Sequence, residues 1–349
     1  MDQITQEDRQ MRTISKFVLL LCIINSILTA NQSKHPYAGG WLTPTVQVNN
    51  VSEYKFTSRI MSKGGRKTEV NYHVFYPTQL KRYRGPVPTL VWLHGSFSSL
   101  KGIKPLSTYL QKAMDEGKLK PMAVVFPHGF NQSLWVNSKD GKYLVEDVLM
   151  NELLPDLKNH FNYRPDRIKP MIAGFSMGGY GAARLGLKYS NLFSGIIAIA
   201  GGPLDENFRT LESNSESRDL LMQHVFGGSM QYYRRVNPRG EALEFSKNTY
   251  GKEKLNLHII CGDKDFTAEH NQRFVEYLNE LGIKHKYTVL PGVEHNMKQV
   301  FGVGSDKIFD TLNQQISSSM RKLSKKRNQS RSNRGRQNRR SSMGRRSRG

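Results

Sequence analysis

Five short, nearly uninterrupted apolar runs punctuate the chain, each stopping at glycine or a turn residue: 89–95 (TLVWLHG), 122–129 (MAVVFPHG), 169–176 (KPMIAGFS), 194–202 (SGIIAIAGG) and 256–262 (NLHIICG). A strand exposed on one face alternates polar and apolar residues. These runs do not, so they fit strands covered on both faces. Helical patterns lie between them, notably at 144–161 and 267–281. Strands alternating with helices predict an α/β fold, with a mostly parallel central sheet and helices on both faces. Upstream, 43–51 (TPTVQVNNV) and 71–77 (NYHVFYP) alternate with period two and read as antiparallel N-terminal strands. With 37% apolar and 10% aromatic residues, a chain of 349 residues can bury one large core of this kind.

Charge is distributed unevenly along the chain. Of the net +23, 13 positive charges fall in residues 321–349, which hold no acid, so everything before them carries only +10. Apart from Leu323 and Met343 this tail has no apolar side chain, and such a composition predicts a disordered polycationic arm suited to an anionic polymer or surface. At the other end, Arg12 and Lys16 precede an apolar run at 17–30 that is short for a membrane span and about right for a signal-peptide core. The expected layout is therefore a signal peptide at 1–30 (an anchor if it stays uncleaved), one folded domain at 31–320 and a disordered basic tail at 321–349. That layout implies a secreted or extracytoplasmic protein. Removing 1–30 also removes Cys22 and leaves Cys261 as the only cysteine, so no intramolecular disulfide supports the core.

Gly174, Phe175, Ser176, Met177 and Gly178 spell G-x-S-x-G where a strand pattern ends and a helix pattern begins. A turn that sharp leaves no space for side chains beside the serine, and it lifts the hydroxyl above the sheet, as a nucleophile requires. The backbone N–H of Met177 then faces any oxyanion formed at Ser176. A serine hydroxyl needs a base to take its proton, and the base needs a carboxylate to orient it. His295, in LPGVEHNM, follows the strand-like run 284–290 and precedes the last helix pattern, which suits the base. His258 and His285 sit inside strand patterns and read as core or edge residues. In GDKD, Asp265 reaches further into its loop and is the expected acid; Asp263, nearer the strand end, suits a turn cap. Asp205 is a third candidate. The second oxyanion donor is expected at the amide of Ser96, with Phe97 as the alternative. His94, Phe97, Phe130 and Trp135 are the expected pocket lining, with Met177 and the strand-end His128 beside them.

Ser176 in GFSMGGYGA, Asp265 in GDKD and His295 in GVEHN, preceded by VWLHG, resemble the putative-esterase family of α/β hydrolases. That family includes esterase D, feruloyl and acetylxylan esterases, enterochelin esterases and mycolyl transferases. The stretch 127–157, with its tryptophan and acidic helix start, adds to the resemblance, which covers roughly residues 71–312. It implies the α/β-hydrolase fold and a Ser-His-Asp serine esterase that works through an acyl-enzyme, with no metal or cofactor. The implied substrate is a small or polysaccharide-linked ester. The segment GSFSS replaces the further glycines or leucine of many members, which leaves the acyl group open. A serine peptidase of the prolyl-oligopeptidase kind, an acyltransferase and a hydrolase-like polyanion-binding protein remain as alternatives, although the chain has no room for a propeller. The basic tail matches no pattern of this family.

Overall fold

Each of the five apolar runs forms a buried strand of one eight-stranded sheet in the computed structural model, which describes residues 35–346 apart from Pro203, Glu206, 209–214 and 249–254. The expected signal segment at 1–30 lies outside the described residues. The strands are β1 (Val51–Lys63), β2 (Arg66–Phe75), β3 (Thr89–Leu93), β4 (Ala123–Pro127), β5 (Met171–Phe175), β6 (Gly195–Ile199), β7 (Leu257–Gly262) and β8 (His285–Leu290). Their order across the sheet is β1-β2-β4-β3-β5-β6-β7-β8. β1 and β2 are antiparallel to their neighbours, and β3 to β8 are parallel to one another. The chain runs from β3 outward to β4 and then back past β3 to β5. That reversal opens a crevice at the carboxyl ends of β3 and β5, where ligands of open α/β sheets bind.

The helices are α1 (Ile103–Asp115), α2 (Val145–Val148), α3 (Leu154–Asp156), α4 (Met177–Lys188), α5 (Ser215–His224), α6 (Met230–Val236), α7 (Pro238–Lys247), α8 (Ala268–Glu280) and α9 (Met297–Arg346). Between α2 and α3 the chain makes a π-helical turn at Leu149–Leu153. Leu106 and Leu110 of α1 and Val300, Ile308 and Leu312 of α9 pack with Leu90, Trp92 and Ala173 on one face of the sheet. Ala182 and Leu185 of α4 and Phe274 and Leu278 of α8 pack with Val91, Leu93 and Ile172 on the other. Removing each of the larger of these side chains from water stabilises the fold by roughly 1.5–3 kcal/mol, which is why continuous apolar runs are tolerated in the strands.

Two expectations need correction. The first N-terminal strand is β1, Val51–Lys63, and not 43–51. Gly64 and Gly65, at φ 58° and 80°, form a two-residue hairpin turn that locks β1 to β2, with Tyr54 opposite Tyr72 and Phe56 opposite Val70. Residues 43–50 run beside it as non-strand chain, tied by Thr43 to the Asn71 side chain at 2.9 Å. The second concerns the tail, which α9 continues as helix to Arg346, where composition argued for disorder. Arg, Lys and Gln are good helix formers, and a helix already nucleated by packed residues extends at the cost of one residue per hydrogen bond. Among the described residues no helix is long and apolar enough to cross a membrane.

A buried ion cluster fastens α4, the helix that follows the serine turn. Arg184, 1% exposed, donates to the Glu146 carboxylate and to the backbone carbonyls of Val236 and Trp135, and Glu241 lies 3.5 Å away. Burial alone pushes the Glu146 carboxyl up, but the Arg184 charge and hydrogen bonds from Lys188 and Tyr189 outweigh it and hold the group down at about 2. Arg184→Leu removes the main counter-charge of a buried carboxylate and is expected to cost about 3–5 kcal/mol in urea denaturation. A loss below about 1 kcal/mol would mean that Lys188 and Tyr189 satisfy Glu146 by themselves.

Candidate active site

Ser176 sits in the turn between β5 and α4 at φ 60°, ψ −120°, a conformation that non-glycine residues rarely hold. Two backbone bonds keep it there: its N–H donates to Ile199 O at 2.9 Å, and its carbonyl accepts from Tyr180 N–H at 3.0 Å. The flanking glycines are required by close approach. A Cβ on Gly178 would lie 1.9 Å from Leu93 O of β3, and one on Gly174 would lie 2.4 Å from the Gly178 backbone. The turn therefore packs directly on the end of the neighbouring strand. Gly95, next to that strand end, is so close that a Cβ there would lie 3.3 Å from the Cβ of Ser176.

Two further loops complete the site. His295 Nε2 lies 2.9 Å from Ser176 Oγ, and its Nδ1 lies 2.9 Å from both carboxylate oxygens of Asp265. With Nδ1–H donating to Asp265, Nε2 presents its lone pair to the serine hydroxyl. The Asp265 side chain is fully buried while His295 keeps 18% exposure, so solvent reaches the base but not the carboxylate. Thr267, which the sequence reading did not single out, donates both its N–H and its hydroxyl to Asp265 Oδ1 at 2.7 Å. Asp263 accepts from Gly292 N–H at 2.7 Å and so caps the turn that leads to His295, in keeping with its expected second role. Asp205 pairs with Arg273 at 3.4 Å, away from this relay.

On the β3 side, Phe97 N–H donates to Asn131 O at 3.0 Å, which leaves Ser96 as the candidate amide of this loop. His94 holds the peptide that carries it. Its Nδ1–H donates to Gly95 O at 2.8 Å, and its Nε2 accepts from Gly129 N–H at 2.9 Å. Gly95 C=O and Ser96 N–H belong to one planar unit, so fixing the carbonyl fixes the direction of the amide. Burial first, and the neighbouring His128 second, press the His94 imidazole down to about 3.

The expected lining is corrected in part. Phe130 and Trp135 are 0% and 1% exposed and belong to the core. Phe130 packs on Tyr37 and Trp41. Trp135 packs on His94 with ring centroids 5.0 Å apart, because the loop after β4 folds back beneath the rim. His94 and Met177 are buried as well, so neither the imidazole nor the thioether lines an open pocket. The open aromatic rings are Phe97 and Phe266, 46% and 47% exposed. Phe266 and Phe175 flank the His295 ring at centroid distances of 4.2 and 4.7 Å. Neither was singled out from sequence, although Phe266 directly follows the expected acid.

A Ser-His-Asp relay with a buried acid and a partly open base, at the carboxyl edge of a parallel sheet, defines a nucleophile site of the hydrolase kind. The model of the family described as "Putative esterase" matches residues 65–298, and the chain belongs to that family. Acetyl esterase of Caldicellulosiruptor saccharolyticus is 27% identical over 172 residues, or 48% of this chain and 63% of that protein, so the chain spans less than two thirds of that relative. Among solved structures, S-formylglutathione hydrolase of Staphylococcus aureus aligns with a TM-score of 0.55 at 18% identity, covering 75% of this chain and 98% of the other. A ferulic acid esterase of Anaeromyces mucronatus, solved with ferulic acid, aligns at 0.53 and 18% identity over 78% of this chain and 93% of the other. The fold is the α/β-hydrolase fold that the resemblance implies.

Because His94 is depressed to about 3 in the fold and titrates near 6.5 when unfolded, the unfolded chain binds a proton between those pH values that the folded chain refuses. Its contribution to stability is complete above about pH 6.5 and is lost as pH falls, by about 2 kcal/mol at pH 5. Imidazole nitrogen chemical shifts are expected to show His94 neutral, with the proton on Nδ1, at pH 5. Titration near 6.5 would contradict the buried double hydrogen bond.

Proposed function

We propose that the chain is a carboxylic-ester hydrolase acting through Ser176, His295 and Asp265. The observation that carries this reading is the unbroken Ser176–His295–Asp265 relay, with both links at 2.9 Å. Family membership supports it. His295 Nε2 takes the hydroxyl proton as Ser176 Oγ attacks the ester carbonyl. Asp265 holds the imidazole tautomer and stabilises the imidazolium. The amides of Ser96 and Met177 receive the oxyanion, and His295 returns its proton to the leaving alkoxide as the acyl-enzyme forms. A water then attacks the acyl carbon along the same route, and Ser176 leaves with its proton restored.

The exposed ring of Phe266, 4.2 Å from the His295 ring, suits a planar or short acyl group, in line with relatives named acetyl esterase and ferulic acid esterase. An acetyl or hydroxycinnamoyl ester carried on a sugar or polysaccharide is therefore the proposed substrate class. The basic-then-apolar segment at 12–30 supports action outside the cytoplasm.

Ser176→Ala is expected to lower kcat on a p-nitrophenyl acetate or methyl ferulate substrate by about 10⁴-fold or more with an unchanged unfolding midpoint. Turnover near the parent level would refute the reading. Asp265→Asn is expected to cost a similar factor, since an amide there favours the wrong imidazole tautomer. Asp263→Asn, which alters only the turn cap, is expected to cost less than about tenfold. A reversed order of those two losses would move the acid to Asp263.

A further inference from the structure

Residues 321–346 form the last part of helix α9. The last apolar anchors of α9 on the sheet are Ile316, 4% exposed, and Met320, whose sulfur lies 3.9 Å from Tyr83 Oη. Beyond them, Arg321, Lys322, Lys325 and Lys326 are exposed, and the helix runs on for 26 residues to Arg346. At 1.5 Å per residue this arm is about 39 Å long. It carries 12 Lys or Arg and no acid, or one positive charge for about every 3 Å of axis. Every charged pair at helical spacing within it is of like sign, including Lys322/Lys326, Arg327/Arg331 and Arg336/Arg340. Such pairs oppose the helix unless an external polyanion neutralises them.

We propose that this arm is a binding site for an acidic polysaccharide, one bearing carboxylate or sulfate groups, and that it holds the polymer whose ester substituents the Ser176 site hydrolyses. The second half of this statement rests on the ester-hydrolase reading; the first does not. Charge complementarity carries the binding, and arginine, which dominates the arm beyond Lys326, pairs with carboxylate and sulfate in bidentate fashion. Residues 321–349 contain no Phe, Tyr or Trp, so the stacking platforms on which single-stranded nucleic acids are held are absent from that segment. The segment at 12–30 points to the outside of the cell, where acidic polysaccharides are the abundant polyanions. Tethering would raise the effective concentration of polymer-borne esters at the site without any new contact in it.

The test uses the full chain and a full-length variant with Arg331, Arg334, Arg336, Arg339, Arg340, Arg345 and Arg346 all replaced by Gln, which leaves every core residue in place. Binding is measured to polygalacturonate, heparin and duplex DNA across salt concentrations, with Ser176→Ala present so that no polymer is altered. The parent is expected to bind the two polysaccharides with affinity falling on the order of 10³-fold between 50 and 200 mM salt. The Gln variant is expected to lose at least about 100-fold of that affinity at the lower salt. On an acetylated acidic polysaccharide the Gln variant is expected to show a KM raised about tenfold or more with kcat unchanged, while its hydrolysis of p-nitrophenyl acetate stays at the parent level. Equal polysaccharide binding by parent and variant, or tighter binding of duplex DNA than of either polysaccharide at matched salt, would overturn the proposal. Retained binding with no hydrolysis of any ester would instead refute the hydrolase reading and leave the polysaccharide site standing.

Discussion

The contact between the Ser176 turn and the end of β3 is the constraint on which the rest of the site depends. Gly178 packs against Leu93 O with no room for a methyl group, and that closeness brings the Gly95–Ser96 peptide beside the serine. Strand order makes the contact possible, because β3 and β5 become neighbours only when the chain reverses direction after β4. The strained backbone of Ser176 is held by bonds to β6 and α4, and α4 is held in turn by the Arg184 cluster beneath it. Strain of order 1–3 kcal/mol at one residue persists only because the surrounding packing is worth more.

The two other members of the relay are fixed by different means. Asp265 is buried and receives three hydrogen-bond donors, the Thr267 amide and hydroxyl and the His295 ring, so its charge is solvated by fixed dipoles in place of water. His295 stays partly open and is positioned by Asp265 on one side and by the rings of Phe175 and Phe266 around it. A rigid acid and an accessible base suit proton transfer to and from a substrate that must enter and leave. His94 plays the corresponding part on the oxyanion side. It stays neutral because it is buried, and a neutral ring can accept from Gly129 and donate to Gly95 at once.

Local motifs made Ser176, Asp265 and His295 legible, since each stands in a short loop directly after a strand whose apolar pattern is unambiguous. The Ser96 amide rests on the same kind of reading, and the N–H of its alternative, Phe97, is committed to Asn131. Aromatic residues in loops were not legible. Phe130 and Trp135 look like pocket lining in sequence, yet burial depends on which way a loop folds, and no periodicity encodes that for a loop. The first N-terminal strand differs from the expected 43–51 because the Gly64-Gly65 turn pairs Val51–Lys63 with β2, a local signal stronger than the weak alternation at 43–51. The length of α9 escaped composition because a charged segment attached to a packed helix inherits a nucleus that an isolated segment lacks.

That inheritance bears on why the arm is joined to α9 without a flexible linker. A Gly/Ser-rich linker would let a polycation fold back over its own protein. The packed portion of α9, covering Phe301 to Ile316 on the face opposite α4, gives the arm a fixed root. A polymer that engages both the arm and Ser176 must span the distance between them. Polysaccharides long and flexible enough to span that distance satisfy the geometry; short oligosaccharides reach only one site at a time, and for them the arm brings no advantage in turnover.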